Sequence, residues 1–219
     1  IPPDFEQKLL LENSNVSLAN LDVLRKNPDL LNEWLKGNGF RENLKEKTPR
    51  IFTPGMAQES PHIGILNISD GCLDACSFCS TRLVKGKHRS VSPEKILSEA
   101  KRYLENGCKE LWLTGQDTSC YGFDIGTNLA ELAKKILEQN SGDYKIRLGM
   151  GNPRHLEKYL NEMLSVYEDD RIYKFIHLPV QSGSDPVLQA MGRKHNVNTF
   201  RKMAEAFISK FSYFTLSTD

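Results

Sequence analysis

The sequence predicts an α/β fold built on a parallel sheet. Short apolar runs alternate with amphipathic helical periods at a spacing of roughly 30 residues, the length of a strand–helix–strand unit. The runs read as apolar throughout, as strands covered on both faces do. At 219 residues, 39% of them hydrophobic, the chain is long enough for one domain with a real core and an added arm.

Residues 1–60 read differently from the rest. One helical period, about Asn20 to Leu35, carries Leu21, Leu24, Leu31 and Leu35. The charged run Arg41 to Arg50 and the breakers Pro49, Pro54 and Gly55 follow it. These residues are expected to form an arm or linker leading out of something upstream, with the main domain over 61–219. The opening Ile1-Pro2-Pro3-Asp4 has no initiator Met and is no signal peptide, so a piece of a longer chain is expected.

Five strands follow in the main domain: Ile63–Ile68, Leu111–Leu113, Ile146–Leu148, Phe175–Leu178 and Phe214–Leu216. Ser92-Pro93 starts the first intervening helix, with Ser as N-cap and Pro in the first turn. Ile96, Leu97, Ala100, Tyr103 and Leu104 line one face, and Gly107 ends it. Further helices carry Leu129, Leu132, Ala133, Ile136 and Leu137; then Leu156, Leu160, Met163 and Leu164; then Phe200, Met203, Ala204, Phe207 and Ile208. Right-handed crossovers bring every strand's C-terminal end to one rim, where parallel α/β folds carry their sites. Periodicity alone does not distinguish an open sheet from a barrel.

Composition excludes several classes. Lys+Arg 29 against Asp+Glu 28 is too even for a surface that is basic all over, so any nucleic-acid contact must be a local patch. No run approaches the roughly 18 apolar residues of a membrane span. The five cysteines are odd in number and clustered, unlike a disulfide framework, which points to the reducing cytosol and to a metal or reactive site.

Cys72, Cys76 and Cys79 sit on one short loop directly after the first strand. Three thiolates can hold three irons of a cubane [4Fe–4S] cluster and leave the fourth open to a ligand, whereas electron-transfer clusters usually take four. Structural zinc needs four ligands, and here the fourth would have to be a distant His88 or Cys108; a catalytic zinc with an open position is a further alternative, though such sites more often use His and Glu. Cys108 and Cys120 lack ligand spacing and read as inert. His177, inside an apolar run, reads as a satisfied core or rim histidine.

The spacing CxxxCxxC with Phe78 before the third Cys resembles the radical S-adenosylmethionine signature. The resemblance extends over residues 62–219. Leu113-Thr114-Gly115-Gln116-Asp117, Asp124-Ile125-Gly126-Thr127-Asn128-Leu129, Arg147 to Pro153 and Leu178 to Asp185 are similar to the methylthiotransferases, and two of these segments point to the archaeal and eukaryotic tRNA branch.

That resemblance implies a partial (β/α)6 TIM-like barrel, truncated after about five strands and preceded by the helical arm. It implies a [4Fe–4S] cluster on Cys72, Cys76 and Cys79, with S-adenosylmethionine chelating the open iron. One electron from a reductant then cleaves the sulfonium to a 5′-deoxyadenosyl radical, which takes hydrogen from the substrate carbon before sulfur and methyl replace it. In the tRNA branch the substrate is N6-threonylcarbamoyladenosine beside the anticodon, methylthiolated at C2. Gly115, Gln116 and Asp117 are expected to meet the cofactor's amine, Asn152 its ribose and carboxylate, and Gln181 and Ser182 cofactor or target nucleotide. The basic run Arg82, Lys85, Lys87 and Arg89 beside the loop is a candidate phosphate contact for tRNA, against the default of a solvated face.

Family members hold a second [4Fe–4S] cluster on three cysteines of an N-terminal domain, and no cysteine precedes Cys72 here. A glycine-rich segment, a sixth strand and a small RNA-binding domain follow in relatives. The isolated 219 residues are therefore expected to hold at best a reconstituted cluster, to bind S-adenosylmethionine weakly and not to methylthiolate RNA. Alternatives are a sister methylthiotransferase acting on isopentenyladenosine tRNA or on a ribosomal-protein aspartate, and a non-catalytic zinc-binding module.

Overall fold

The computed structural model describes residues 62–219. The arm expected over residues 1–60, with its helix, lies outside the described residues. Strand β1 (Ile63–Asn67) is followed by a two-residue strand β2 (Ser69–Asp70), helix α1 (Thr81–Lys85) and a second two-residue strand β3 (Arg89–Ser90). Then come α2 (Pro93–Glu105), β4 (Glu110–Thr114), α3 (Leu129–Gln139) and β5 (Lys145–Leu148). The chain continues through α4 (Pro153–Leu156), α5 (Leu160–Val166), β6 (Phe175–His177), α6 (Asp185–Ala190), α7 (Val197–Lys210) and β7 (Thr215–Ser217).

All five predicted strands form, and they pair in parallel. β1 lies in register on β4, Ile63 opposite Glu110, and β4 on β5, Glu110 opposite Lys145. β6 pairs with β7. An isolated parallel bridge, Ile146 with Ile172, joins the two groups, and Gly151 N donates to His177 O at 2.9 Å. The row β1–β4–β5–β6–β7 thus follows chain order, as successive βα units of a partial barrel do.

One face of the row is buried and the other only half so. Leu66, Leu111, Leu113, Ile146 and Leu148 are buried beneath the helices. Gly64 shares that face: a Cβ there would sit 2.6 Å from the Tyr103 ring, so glycine lets α2 approach the sheet. The opposite face carries Glu110, Trp112 and Arg147, with the Arg147 guanidinium between the Trp112 and Phe175 rings at 5.0 and 5.2 Å. The strands are therefore not apolar throughout; they alternate, because the inner face of an incomplete barrel is not sealed by a second helix layer.

The helices follow their sequence periods with two differences. Ser92 stands at the N-cap of α2 and Pro93 at its first position, but the serine hydroxyl makes no capping bond. The third predicted helix is broken into α4, a 3₁₀ turn over Glu157–Tyr159, and α5. Tyr159 leaves the helical region (φ −139°) as its buried hydroxyl donates to Ser119 O at 2.6 Å. A core hydrogen bond thus interrupts the period. The Asp124–Leu129 segment is a turn with assigned parts: Asp124 Oδ2 accepts from Ser90 N, Gly126 takes φ 74°, and Asn128 Oδ1 caps α3 through Glu131 N. No helix among the described residues is long and apolar enough to cross a membrane.

Leu111 is central to this core, at 0% exposure beneath the helices. Leu111→Ala is expected to lower unfolding free energy by about 2–5 kcal/mol, read from denaturant midpoints.

Candidate metal centre

The loop after β1 has no regular structure from Gly71 to Ser80, so its shape is set by what grips it from the rim. Gly71 takes φ 76°, and a Cβ there would fall 2.4 Å from Lys87 O, so only glycine fits. Its N–H donates to Gln116 Oε1 at 3.0 Å, at the end of β4. Arg82 Nη1 donates to Leu73 O at 3.0 Å. Ser77 N donates to Met191 O at 3.0 Å and its hydroxyl to Ala190 O at 3.2 Å, at the C-terminal end of α6.

The strongest grip is on Asp74, in the middle of the cysteine spacing. Its Oδ2 accepts from Asn152 Nδ2 at 2.7 Å and its Oδ1 from Arg154 Nη1 at 2.5 Å, both past the end of β5. Charge-assisted bonds to a side chain only 3% exposed are among the stronger polar contacts a protein makes. His155 Nε2 lies 3.5 Å away but makes no hydrogen bond, and burial holds its pKa below the usual imidazole range. Asn152 is itself placed by the chain around β4: Asp117 Oδ1 accepts from Ser119 Oγ at 2.5 Å and from Ser119 N at 3.0 Å, and Ser119 Oγ accepts from Asn152 N at 2.8 Å.

These grips bring the three cysteines to a cleft of about 560 Å³ at the C-terminal ends of the strands. Cys72, Cys76 and Cys79 line it with Asp74, Phe78, Thr81, Gln116, Asp117, Met150, Gly151, Asn152, Pro179, Gln181 and Arg193. None of the five cysteines is in a disulfide. Burial pushes the Cys72 thiol up to about 11, so a metal must displace its proton. Asp117 is buried, and its Oδ2 has no hydrogen-bond partner among the described residues.

Four of the residues expected to meet the cofactor therefore line the cleft: Gln116, Asp117, Asn152 and Gln181. Both ends of the Asn152 amide are engaged, by Asp74 and by Arg154 N, so its side chain orients the loop. Gln181 holds a left-handed backbone (φ 73°), rare outside glycine, with its N–H on Asp219 O at 2.7 Å. Gly115 and Ser182 are not on the wall. Gly115 lets Ser69 approach, and the Ser182 hydroxyl accepts from Ser184 N at the start of α6.

In the basic run, Arg82 braces the loop and Lys85 Nζ lies 3.8 Å from Asp70, while Lys87 is exposed. Arg89 is half-buried. His177 is satisfied at the rim by Asp219 at 2.6 Å.

The fourth zinc ligands considered are elsewhere. Both His88 nitrogens are used, by Cys120 Sγ at 3.3 Å and Ser90 Oγ at 3.1 Å, and Cys108 precedes the opposite end of β4. Burial drives the Cys120 thiol far above its ordinary range, consistent with an inert residue. Among the described residues, no three His, Cys, Asp or Glu side chains gather as a single ion needs. A cubane makes a different demand, since each thiolate takes its own iron corner. Sequence reasoning missed Asp74 and Arg193. An acid among thiols was a signal for the first; nothing in the periodicity marked the second.

Asp74→Ala strands the Asn152 amide and Arg154, so stability should fall by about 1.5–3 kcal/mol. Iron bound after anaerobic reconstitution should fall with it; wild-type stability and iron content would remove the anchoring role. Burial also keeps His88, His155 and His195 neutral when folded, with pKa values below the ordinary one. The unfolded chain takes up these protons near pH 6.5, so stability should drop as pH falls below that value, by up to about 1.4 kcal/mol per pH unit for each histidine. Denaturant titrations between neutral and mildly acidic pH measure the slope.

Comparison with known proteins bears on this site. A "Probable threonylcarbamoyladenosine tRNA methylthiotransferase" of Pyrococcus horikoshii is 48% identical over 155 residues, covering 71% of this chain and 36% of the relative. The human "Threonylcarbamoyladenosine tRNA methylthiotransferase" is 33% identical over 211 residues, covering 93% of this chain and 36% of the relative. The chain thus spans little more than a third of either relative. In structure it is similar to the cobalamin-dependent S-adenosylmethionine radical enzyme OxsB, with TM-score 0.54 and 17% identity over 70% of this chain and 23% of that one. That likeness supports the partial α/β barrel. The sequence profile of the radical SAM superfamily matches residues 66–218, cysteine loop and rim together, and the chain belongs to that superfamily.

Proposed function

We propose that this chain is the cluster-binding core of a tRNA methylthiotransferase, a radical enzyme acting at C2 of N6-threonylcarbamoyladenosine. One observation carries the reading. A single cleft collects three free cysteines from one loop together with Gln116, Asp117, Asn152 and Gln181 from the rim. The names of the similar archaeal and human proteins supply the substrate.

The donor set fits a [4Fe–4S] cluster on Cys72, Cys76 and Cys79: three soft sulfur ligands on one loop, with no fourth protein ligand among those weighed. When bound, the cluster supplies the electron for reductive cleavage of S-adenosylmethionine. The chain's own residues do the rest by placement. Asp117, on the cleft wall, meets the cofactor's ammonium, and its Oδ1 stays committed to Ser119. Gln116 holds Gly71 and so the start of the loop. Asn152 orients Asp74, while Gln181 offers its side chain from a fixed, strained backbone. Gly115 and Ser182 shape the rim, the glycine by close approach and the Ser182 hydroxyl by holding the turn into α6. The exposed Lys87 and neighbouring Arg89 are the members of the basic run for tRNA phosphate, with Arg82 and Lys85 partly committed to the protein.

The partners of the whole enzyme are tRNA and a one-electron reductant, with a second [4Fe–4S] cluster on an N-terminal domain as in the family. Free thiols at an open cleft suit a reducing, cytosolic setting.

Changing Cys72, Cys76 or Cys79 to Ala in the source cell should abolish 2-methylthio-N6-threonylcarbamoyladenosine. The unmethylthiolated nucleoside should accumulate in its place. Mass spectrometry of digested total tRNA reads both. Unchanged methylthiolation would defeat the proposal, and loss confined to isopentenyladenosine would transfer it to the sister substrate.

A further inference from the structure

The segment after β6 folds back across the cysteine loop. At the end of α6, the Ala190 and Met191 carbonyls hold Ser77, and Gly192 takes φ 71°, where a Cβ would lie 3.5 Å from Ala75 O and 3.7 Å from Cys76 Cα. That turn delivers Arg193 into the cleft wall. Its Nη2 donates to Pro179 O at 3.3 Å, and its Nη1 lies 3.5 Å from Cys76 Sγ. Its Nε is buried and has no acceptor in the protein. One end of the guanidinium is thus fixed by the rim after β6, while the other carries open donors beside a cysteine sulfur.

We infer that Arg193 sets the reduction potential of the cluster, by donating to the sulfur of Cys76 and holding a permanent positive charge beside it. The inference rests on the cluster reading above. One-electron reduction adds one negative charge to the cluster and its sulfur ligands, leaving bonds and protons as they were. A fixed cation and an N–H···S bond both interact more strongly with that reduced state, and hydrogen bonds to sulfur and local charge are established levers on such potentials. Partial burial reduces the screening that would mute the charge in water. Arginine cannot discharge itself by losing a proton. Lysine keeps the charge but lacks the planar fork that spans Pro179 O and the sulfur together. Arg193 is therefore a positioning residue acting through Cys76.

The test is an EPR-monitored redox titration of the anaerobically reconstituted 219-residue chain, without substrate, as wild type, R193Q and R193K. Removing the charge in R193Q should lower the reduced-to-oxidised ratio at fixed potential about tenfold, equivalent to about 59 mV for one electron. R193K should show a smaller fall in the same direction. Iron per chain is measured alongside, and R193K still decides the matter if R193Q loses its iron. An unmoved midpoint in a variant with wild-type iron content overturns the role of Arg193 and leaves the cluster reading standing. A wild-type chain that forms no cluster overturns both.

Discussion

A loop that carries three cysteines, and that has neither helix nor strand to stiffen it, depends on anchors outside itself. In this chain the principal anchor is the buried carboxylate of Asp74, held by Asn152 and Arg154 at 2.7 and 2.5 Å. The anchor is indirect, because Asn152 is placed through Ser119 by Asp117, which also lines the cleft. Loop shape and cleft shape are therefore fixed by one network spanning the ends of β1, β4 and β5. A polar network of this kind confers rigidity only while its members are satisfied. Asp117 Oδ2 is the exception, a buried oxygen without a partner among the described residues.

The sheet supplies the frame on which that network rests. Parallel pairing in chain order brings each strand's C-terminal end to the same rim, so residues far apart in sequence become neighbours. Asp74 and Arg154 meet across a separation of 80 positions. The half-buried inner face, with Arg147 between Trp112 and Phe175, shows that the barrel interior is built from long amphipathic side chains as well as aliphatic ones.

Much of the frame was legible in the sequence because burial imposes periodicity. All five strands and the long helices follow from that pattern alone. The cysteine loop was legible because three thiols in eight residues have few other uses. What escaped reading depended on tertiary partners. The break at Tyr159 comes from a hydroxyl reaching Ser119, which no helical period encodes. The two-residue strands β2 and β3 are too short to carry an alternation. Asp74 and Arg193 acquire their roles only when the ends of β5 and β6 arrive beside the loop.

The three sulfurs are not equally placed: Cys79 is exposed, Cys72 and Cys76 are half-buried, and burial suppresses the ionisation of Cys72. Thiolate character and exposure govern attack by oxidants, so Cys72 resists sulfenic acid formation while the exposed Cys79 is the accessible target. Oxidative damage to these thiols therefore starts at the solvent edge, and the fold shelters Cys72.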